Sequence, residues 1–435
     1  MKSSYAVINR ELAKYPAKYR FSEDGMSTWL DCGSNHKPHI IFWQDHGSNK
    51  SYRLSDEYFN HGSRRGNTTL ITGDRPCFAL ARGESAACMD PRIFKAGDCS
   101  VRFETSGVMR KLDEANDIHT VFHFGYTEYT ISFSGLPELT IRLTISHALD
   151  CGCAATLVFI NSGRAPIDIT ASFDYGRLDY IDRPVTAAYF DRTKPVTRRQ
   201  DIAINGAFVR IAAEDAPFGA GVRGCPEAEA REQNGRVIFS RKLTVNTGEI
   251  AEFSLLAWIL EDGDEQSGPL EGCQPAALLE DSRQYYDAIL GQYSVNTPDK
   301  LIDAGFAAGV VNLDYDFAGR AWLEGIHYWA APWCNNYQIS AAISLGQIDR
   351  AGAALQFFAR PIEGPCAIFM SNLEPLEDDR YGFTDGLPYY LYALTRYDRH
   401  TGDELLLSLW DKVRRSVDRM LTEKAGPAVP CSAGN

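Results

Sequence analysis

The sequence predicts a multidomain β + α protein: an N-terminal antiparallel β-sandwich, a linker helix, and then a ring of helical hairpins. Three observations predict it. Up to about Gly272 apolar and polar residues alternate with the two-residue period of strands. From about Gln274 the period lengthens to that of amphipathic helices. The helical stretches are joined alternately by tight glycine breaks and by long polar loops, as helix pairs around a toroid would be, with the long loops gathered at one end.

The β part is read as follows. "TVFHFGYTEYTISFS" (Thr120 to Ser134) alternates as one half-buried strand, and "LTIRLTISHAL" (Leu139 to Leu149) repeats the pattern. "AATLVFINSGRAPIDITASFDYG" (Ala154 to Gly176) is strand, turn, strand, with Asn161, Ser162 and Gly163 supplying the turn. Gly235 to Leu260 holds two more strands around "NTGE". Short strands with turn signals and no helical run between them point to an antiparallel sandwich. The first 100 residues, rich in Gly, Asp and Asn, are read as strands joined by long loops.

The helical part opens with a linker helix over Ala276 to Tyr293. "TPD" then starts a helix, with Thr297 as N-cap and Pro298 at the first helical position. Further helices are expected over about Asn336 to Leu345, Asp349 to Ala359, Leu387 to His400 and Asp403 to Thr422, with breaks at Gly346 and Gly402. Residues 1–272, 273–296 and 297–435 are therefore expected as sandwich, linker and helical region.

Composition narrows the function. The chain of 435 residues is 44% hydrophobic and carries a formal net charge of −13, from 57 acidic and 44 basic residues. That balance argues against nucleic acid, whose phosphates call for clustered Lys and Arg. It suits neutral or cationic ligands. "MKSSYAVINRELAKYP" has no apolar core of a signal peptide, and no apolar run approaches the ~18 residues of a membrane span, so no membrane association is expected. The 11 cysteines stand mostly alone in apolar contexts, as reduced, buried thiols of a cytoplasmic protein do. Cys151 and Cys153 are the one tight pair, and no second pair at ligand spacing accompanies them. No metal and no cofactor are expected, though acidic loops are a type that holds calcium. Composition leaves a homo-oligomer open.

The order of parts, "LTIRLTISHALDCGCAATLVFINSGRAPIDITASFDYG", then "TPD", then "YWAAPWCNNYQISAAISLGQIDRAGAALQFF" and "YGFTDGLPYYLYALTRYDRHTGDELLLSLW", resembles the six-hairpin glycosidases. This superfamily of (α/α)6-barrel enzymes includes glucoamylases, amylo-α-1,6-glucosidases and disaccharide phosphorylases. The resemblance covers most of residues 120 to 424. It implies an N-terminal supersandwich of the galactose mutarotase-like kind and an (α/α)6 catalytic barrel acting on an oligosaccharide or polysaccharide. The twelve-helix ring is incomplete here, so the chain is expected to be a fragment.

The residues themselves carry sugar chemistry. Pyranoses offer apolar C–H faces and a rim of hydroxyls, which proteins hold on aromatic rings and with amides and carboxylates. Between Trp322 and Tyr337 stand Tyr328, Trp329, Trp333, Asn335, Asn336 and Tyr337, with Glu324 and His327 interleaved. These are the candidate substrate contacts; a packed helix junction is the competing reading of the same aromatics. Asp385, in "FTDGLPYY", joins them where the resemblance implies a sugar-binding carboxylate, and it also suits the N-cap of the helix that follows. The resemblance further implies an Arg and Asp where this chain has Asn335 and Asn336, which places neutral amides in the site.

Inverting hydrolysis needs two carboxylates roughly 6.5–9.5 Å apart, one as general acid and one as base. Glu324, Glu374 and Glu377 are the candidates present; Glu374 and Glu377 share "NLEPLEDDRYG" with two aspartates, a composition more often that of a solvated loop than of a catalytic pair. By the resemblance, the acid and base themselves are expected beyond Asn435. The expectation is an inverting glycoside hydrolase. The alternatives are a phosphorylase of the same clan, which needs a cationic phosphate pocket, and a non-catalytic carbohydrate-binding protein.

Overall fold

A computed structural model of the chain describes residues 18–21, 28–33, 58–61, 67–72, 77–84, 92–123, 125–148, 152–176, 179–182, 196–197, 200–213, 218–261, 272–315, 317, 319–322, 329–330, 332–359, 369–370 and 386–422. Two ten-stranded antiparallel sheets come first. From edge to edge, the first sheet is Lys18–Phe21, Thr28–Gly33, Asp117–His123, Tyr126–Ser132, Leu139–Ala148, Gly152–Asn161, Ile250–Glu261, Phe218–Gly224, Phe208–Ala213 and Gln200–Asn205. The second runs Glu229–Gln233, Arg236–Val245, Ile167–Gly176, Arg92–Thr105, Cys77–Glu84, Asn67–Thr72 and Tyr58–His61, with three short strands beside it.

One core lies between the sheets. Leu143, Leu157, Phe159, Phe253 and Leu255 of the first meet Phe103, Ile169, Phe173, Tyr175 and Phe239 of the second. The rings of Phe173 and Phe253 stand 4.8 Å apart across the gap, and those of Phe103 and Phe159 5.8 Å. Strand alternation causes this: Ile169, Ala171, Phe173 and Tyr175 fall on one face of their strand, and that face is buried.

The predicted turn at Asn161 is a corner rather than a hairpin. Gly152–Asn161 belongs to the first sheet and Ile167–Gly176 to the second, so the chain changes sheets between them. Residues 246–249 make the reverse crossing from Arg236–Val245 to Ile250–Glu261. Asn161, fully buried, binds both corners. Its Nδ2 donates to the carbonyls of Ala165 at 2.8 Å and Val245 at 2.9 Å, its Oδ1 accepts from the Gly163 N–H, and its own carbonyl accepts from Gly248.

Thr120 to Ser134, expected as one strand, is two. Asp117–His123 and Tyr126–Ser132 pair antiparallel, His123 opposite Tyr126. Gly125, at φ 85°, makes the reversal. The alternation continues through the turn on either side, which is why the sequence reads as one strand.

Six helices follow. The first, α1 (Pro275–Gln292), lies on the outer face of the first sheet. There Leu278 packs with Ala154, Leu256, Trp258 and Leu260. The Ser282 hydroxyl donates to the Gly125 carbonyl, and Arg223 donates to that of Cys273. The others are α2 (Lys300–Tyr315), α3 (Pro332–Ser344), α4 (Ile348–Phe358), α5 (Gly386–Thr401) and α6 (Leu405–Thr422). The helix α2 starts two residues later than "TPD" predicts, because Asp303 reaches back to the Thr297 N–H at 2.8 Å while the Thr297 hydroxyl donates to the Asp299 carbonyl. Gly346 ends α3 at φ 74°; its N–H bonds to the Ile343 carbonyl and that of Gln347 to Ala342, a Schellman closure. A second core joins Leu313, Trp322, Ile339, Ile343, Leu355, Phe358, Tyr390, Leu394 and Val413. Within it α3 packs against both α4 and α5. Among the described residues no helix is long and apolar enough to cross a membrane.

Candidate functional site

The aromatic run enters α3 at Pro332, whose missing N–H costs nothing at a first helical position. Just upstream, Trp329–Ala330 forms a two-stranded ladder with Phe369–Met370, Trp329 opposite Met370 and Ala330 opposite Phe369. This ladder ties the α2–α3 connection to the α4–α5 connection. Those connections lead into the N-terminal ends of α3 and α5, two helices already packed together.

Asn335 is buried and wholly engaged. Its Oδ1 accepts from the Trp322 backbone N–H at 2.8 Å, and its Nδ2 donates to the Trp322 carbonyl at 2.9 Å. Trp322 is itself fully buried, its indole N–H donating to the Leu313 carbonyl at 2.7 Å. Its ring lies 4.8 Å from Phe317, over which the Arg350 guanidinium sits at 4.9 Å. Arg350 donates at 2.9 Å to Asp314, a carboxylate only 2% exposed, and the Tyr285 hydroxyl donates to the same oxygen at 2.8 Å. So α1, α2 and α4 meet at Asp314, and the start of the aromatic loop hangs from that junction.

Asn336 is 5% exposed, and its Oδ1 has no hydrogen-bond partner; the same holds for Gln338 Oε1 and Ser340 Oγ further along α3. Tyr337 is 66% exposed, with its ring 6.3 Å from that of Tyr389 on α5. Beneath them the buried Tyr390 donates its hydroxyl to the Leu355 carbonyl at 3.0 Å, and burial pushes its phenol well above the ordinary value.

Of the candidates from sequence, Asn335, Asn336 and Tyr337 therefore share the first two turns of α3. The backbone of Trp333 lies in the same first turn, and that of Trp329 in the ladder. Tyr328, Glu324, Glu374, Glu377 and Asp385 lie outside the described residues. Sequence reasoning missed the Tyr285–Asp314–Arg350 junction. One signal was available: Asp314 stands in the last turn of an apolar helix, where the helix dipole disfavours a carboxylate unless a cation meets it.

No protein-family model matches the chain, and no curated protein does. Among solved structures the chain is similar to a protein from the human microbiome assigned as a kojibiose phosphorylase. The TM-score is 0.59 at 12% sequence identity, over 90% of this chain and 59% of that one. The likeness shows a shared fold. A TPR-domain containing protein from Parabacteroides distasonis (TM-score 0.26, 9% identity, 83% of this chain and 77% of that) and a polysaccharide lyase (0.23, 10%, 75% and 61%) are too distant to carry an argument.

Proposed function

We propose that the chain is the sandwich and leading helical part of a glycoside-active enzyme of the six-hairpin type, acting on an oligosaccharide. The observation that carries this is the Trp329–Ala330/Phe369–Met370 ladder, which ties the connection into α3, with its aromatics and amides, to the connection into α5, two adjoining helices. The shared fold with the kojibiose phosphorylase supports it. The packing of α3 on α5 past the intervening α4 supports the incomplete ring, as does α6, whose Leu407 and Trp410 remain 71% and 53% exposed.

In this reading Trp329, Trp333, Tyr328 and Tyr337 carry sugar faces, Asn336 and Asp385 meet hydroxyls, and Asn335 fixes the frame. Glu324, Glu374 and Glu377 are the carboxylates on these loops that could serve an inverting acid–base reaction. Two acceptors remain in play. Acidic loops favour water, hence hydrolysis; the name of the structural neighbour favours phosphate.

Calorimetric titration with neutral oligosaccharides, on the wild type and on Trp333→Ala, tests the binding. The expected result is saturable binding in the wild type and a loss of about tenfold or more in the variant. Absence of binding across di- to pentasaccharides of several linkages at millimolar concentration would overturn the reading. Following product with and without inorganic phosphate then separates hydrolysis, which yields free sugar in both, from phosphorolysis, which yields a sugar 1-phosphate only with it.

A further inference from the structure

We infer that Tyr389 is a positioning residue of the carbohydrate site: it holds the Tyr337 ring in the attitude that receives a sugar face. This rests on the carbohydrate reading and adds to it a residue of α5. Tyr337 is largely exposed, although Asn335 and Asn336 before it are buried. The backbone of that turn is therefore fixed while the ring stands out from it. An exposed side chain that a ligand must immobilise loses rotamer freedom on binding, and that loss comes off the affinity. A neighbour that orders the ring beforehand removes the loss. The ring that Tyr337 meets is that of Tyr389, with centroids 6.3 Å apart and planes inclined at 48°. That separation lies within the range of about 4.5–7 Å over which tilted aromatic pairs attract. Tyr337 stays open to solvent all the same, so a sugar can reach it.

Tyr389 can do this because α5 is itself held in place. The next residue, Tyr390, is buried and donates its hydroxyl to the Leu355 carbonyl at 3.0 Å, which fixes the start of α5 on α4. Seven residues beyond Tyr337 and seven beyond Tyr389, Arg396 donates to the Ser344 hydroxyl oxygen at 3.1 Å. Seven residues are about two turns, so both contacts fall on the same sides of their helices. Equal spacing on α3 and α5 means that the two helices run parallel and in register. Tyr389 therefore cannot slide along Tyr337 unless the Arg396–Ser344 bond breaks as well. Neither residue of the ring pair is near the other in sequence, so only the packing of α3 on α5 brings them together.

The test is calorimetry with neutral gluco-oligosaccharides, di- to pentasaccharides of several linkages. The proteins are the wild type, Tyr337→Ala, Tyr389→Ala, Tyr389→Phe, Tyr392→Ala and the double variant Tyr337→Ala/Tyr389→Ala. Tyr389→Ala is expected to weaken binding about three- to tenfold. Tyr389→Phe keeps the ring and should stay within about twofold of the wild type. Tyr392, exposed one turn further along α5, is the control, and its loss should leave affinity unchanged. A residue that acts through Tyr337 has nothing left to position once that ring is gone, so the double variant should bind like Tyr337→Ala alone. If Tyr389→Ala fails to fold, Tyr389→Leu fills the space without a ring and carries the same expectation. Wild-type affinity in Tyr389→Ala, additive losses in the double variant, or a Tyr389→Phe as weak as the alanine variant overturns the inference and leaves the proposed function standing. An equal loss in Tyr392→Ala overturns it too. A wild type that binds none of the oligosaccharides overturns both.

Discussion

Asn335 holds Trp322 by both halves of its backbone, accepting from the N–H at 2.8 Å and donating to the carbonyl at 2.9 Å. The two residues are 1% and 0% exposed, so water cannot replace either bond. Asn335→Leu strands a buried donor and a buried acceptor at once. The expected loss is about 3 kcal/mol in urea denaturation, with an unchanged m-value. Asn335→Asp keeps the acceptor, removes the donor and buries a charge, and it should cost at least as much. A loss under about 0.5 kcal/mol in both variants would mean that the clamp contributes nothing to the frame of the aromatic loop.

Gly125 sets how α1 seats on the sheet. It has φ 85°, and a Cβ there would lie 2.7 Å from ring carbons of Tyr286, with the Ser282 hydroxyl closer still. Gly125→Ala therefore meets both backbone strain and overpacking, for an expected cost of about 2–4 kcal/mol. Hydrogen exchange should show the amides of α1 opening first. Uniform loss of protection over both sheets would contradict a local seat.

Tyr390 makes stability depend on alkaline pH. Burial raises its folded-state pKa above the ordinary 10.0, so the protonated phenol is favoured in the native state. The contribution is whole below about pH 10 and is lost as pH rises through the folded value, because the unfolded chain releases the proton first. Tyr390→Phe should cost about 1 kcal/mol at pH 7, by removing one of two donors to the Leu355 carbonyl, which keeps the Ala359 N–H. Between about pH 10 and 11 the wild type alone should lose ground, by up to ~1.4 kcal/mol per unit from this group, and the gap should close. Parallel alkaline curves for both proteins would show that the phenol does not ionise on unfolding.

Near-neighbour chemistry was readable in the sequence, and contacts between distant residues were not. Gly346 and Gly402 were expected as breaks because only a glycine takes φ > 0 at a helix end at little cost, and they sit at 74° and 64°. The turn at Asn161 was legible from its composition, yet its role in joining two sheets was not, since Val245 is 84 residues away. The split of Thr120 to Ser134 escaped because alternation has the same period on both arms of a hairpin. Asn335 and Asn336 look alike beside aromatics, but a side chain that binds backbone leaves no complementary residue type to find. One is satisfied by Trp322; the other is left open.

The Asp314–Arg350 pair offers the sharpest check on how the helices are held. Asp314 is 2% exposed and Arg350 31%, so the pair is half-shielded from solvent. Tyr285 shares the same carboxylate oxygen from α1, and Phe317 carries the guanidinium face. Asp314→Ala removes the acceptor for both donors and is expected to cost about 2–3 kcal/mol, below the range for a wholly buried pair because water reaches Arg350. Tyr285→Phe should cost about 1 kcal/mol. Arg350→Met keeps an apolar stem and removes the guanidinium that sits over Phe317. A double-mutant cycle between Asp314→Asn and Arg350→Met should return a coupling of about 1–2 kcal/mol, screened only weakly by salt. A coupling near zero would leave apolar packing around Trp322 as the sole link from α4 to the aromatic loop. Arg350→Met would then leave sugar affinity untouched. With the coupling present, that variant loosens Phe317 and Trp322 together and weakens binding at a site it does not touch.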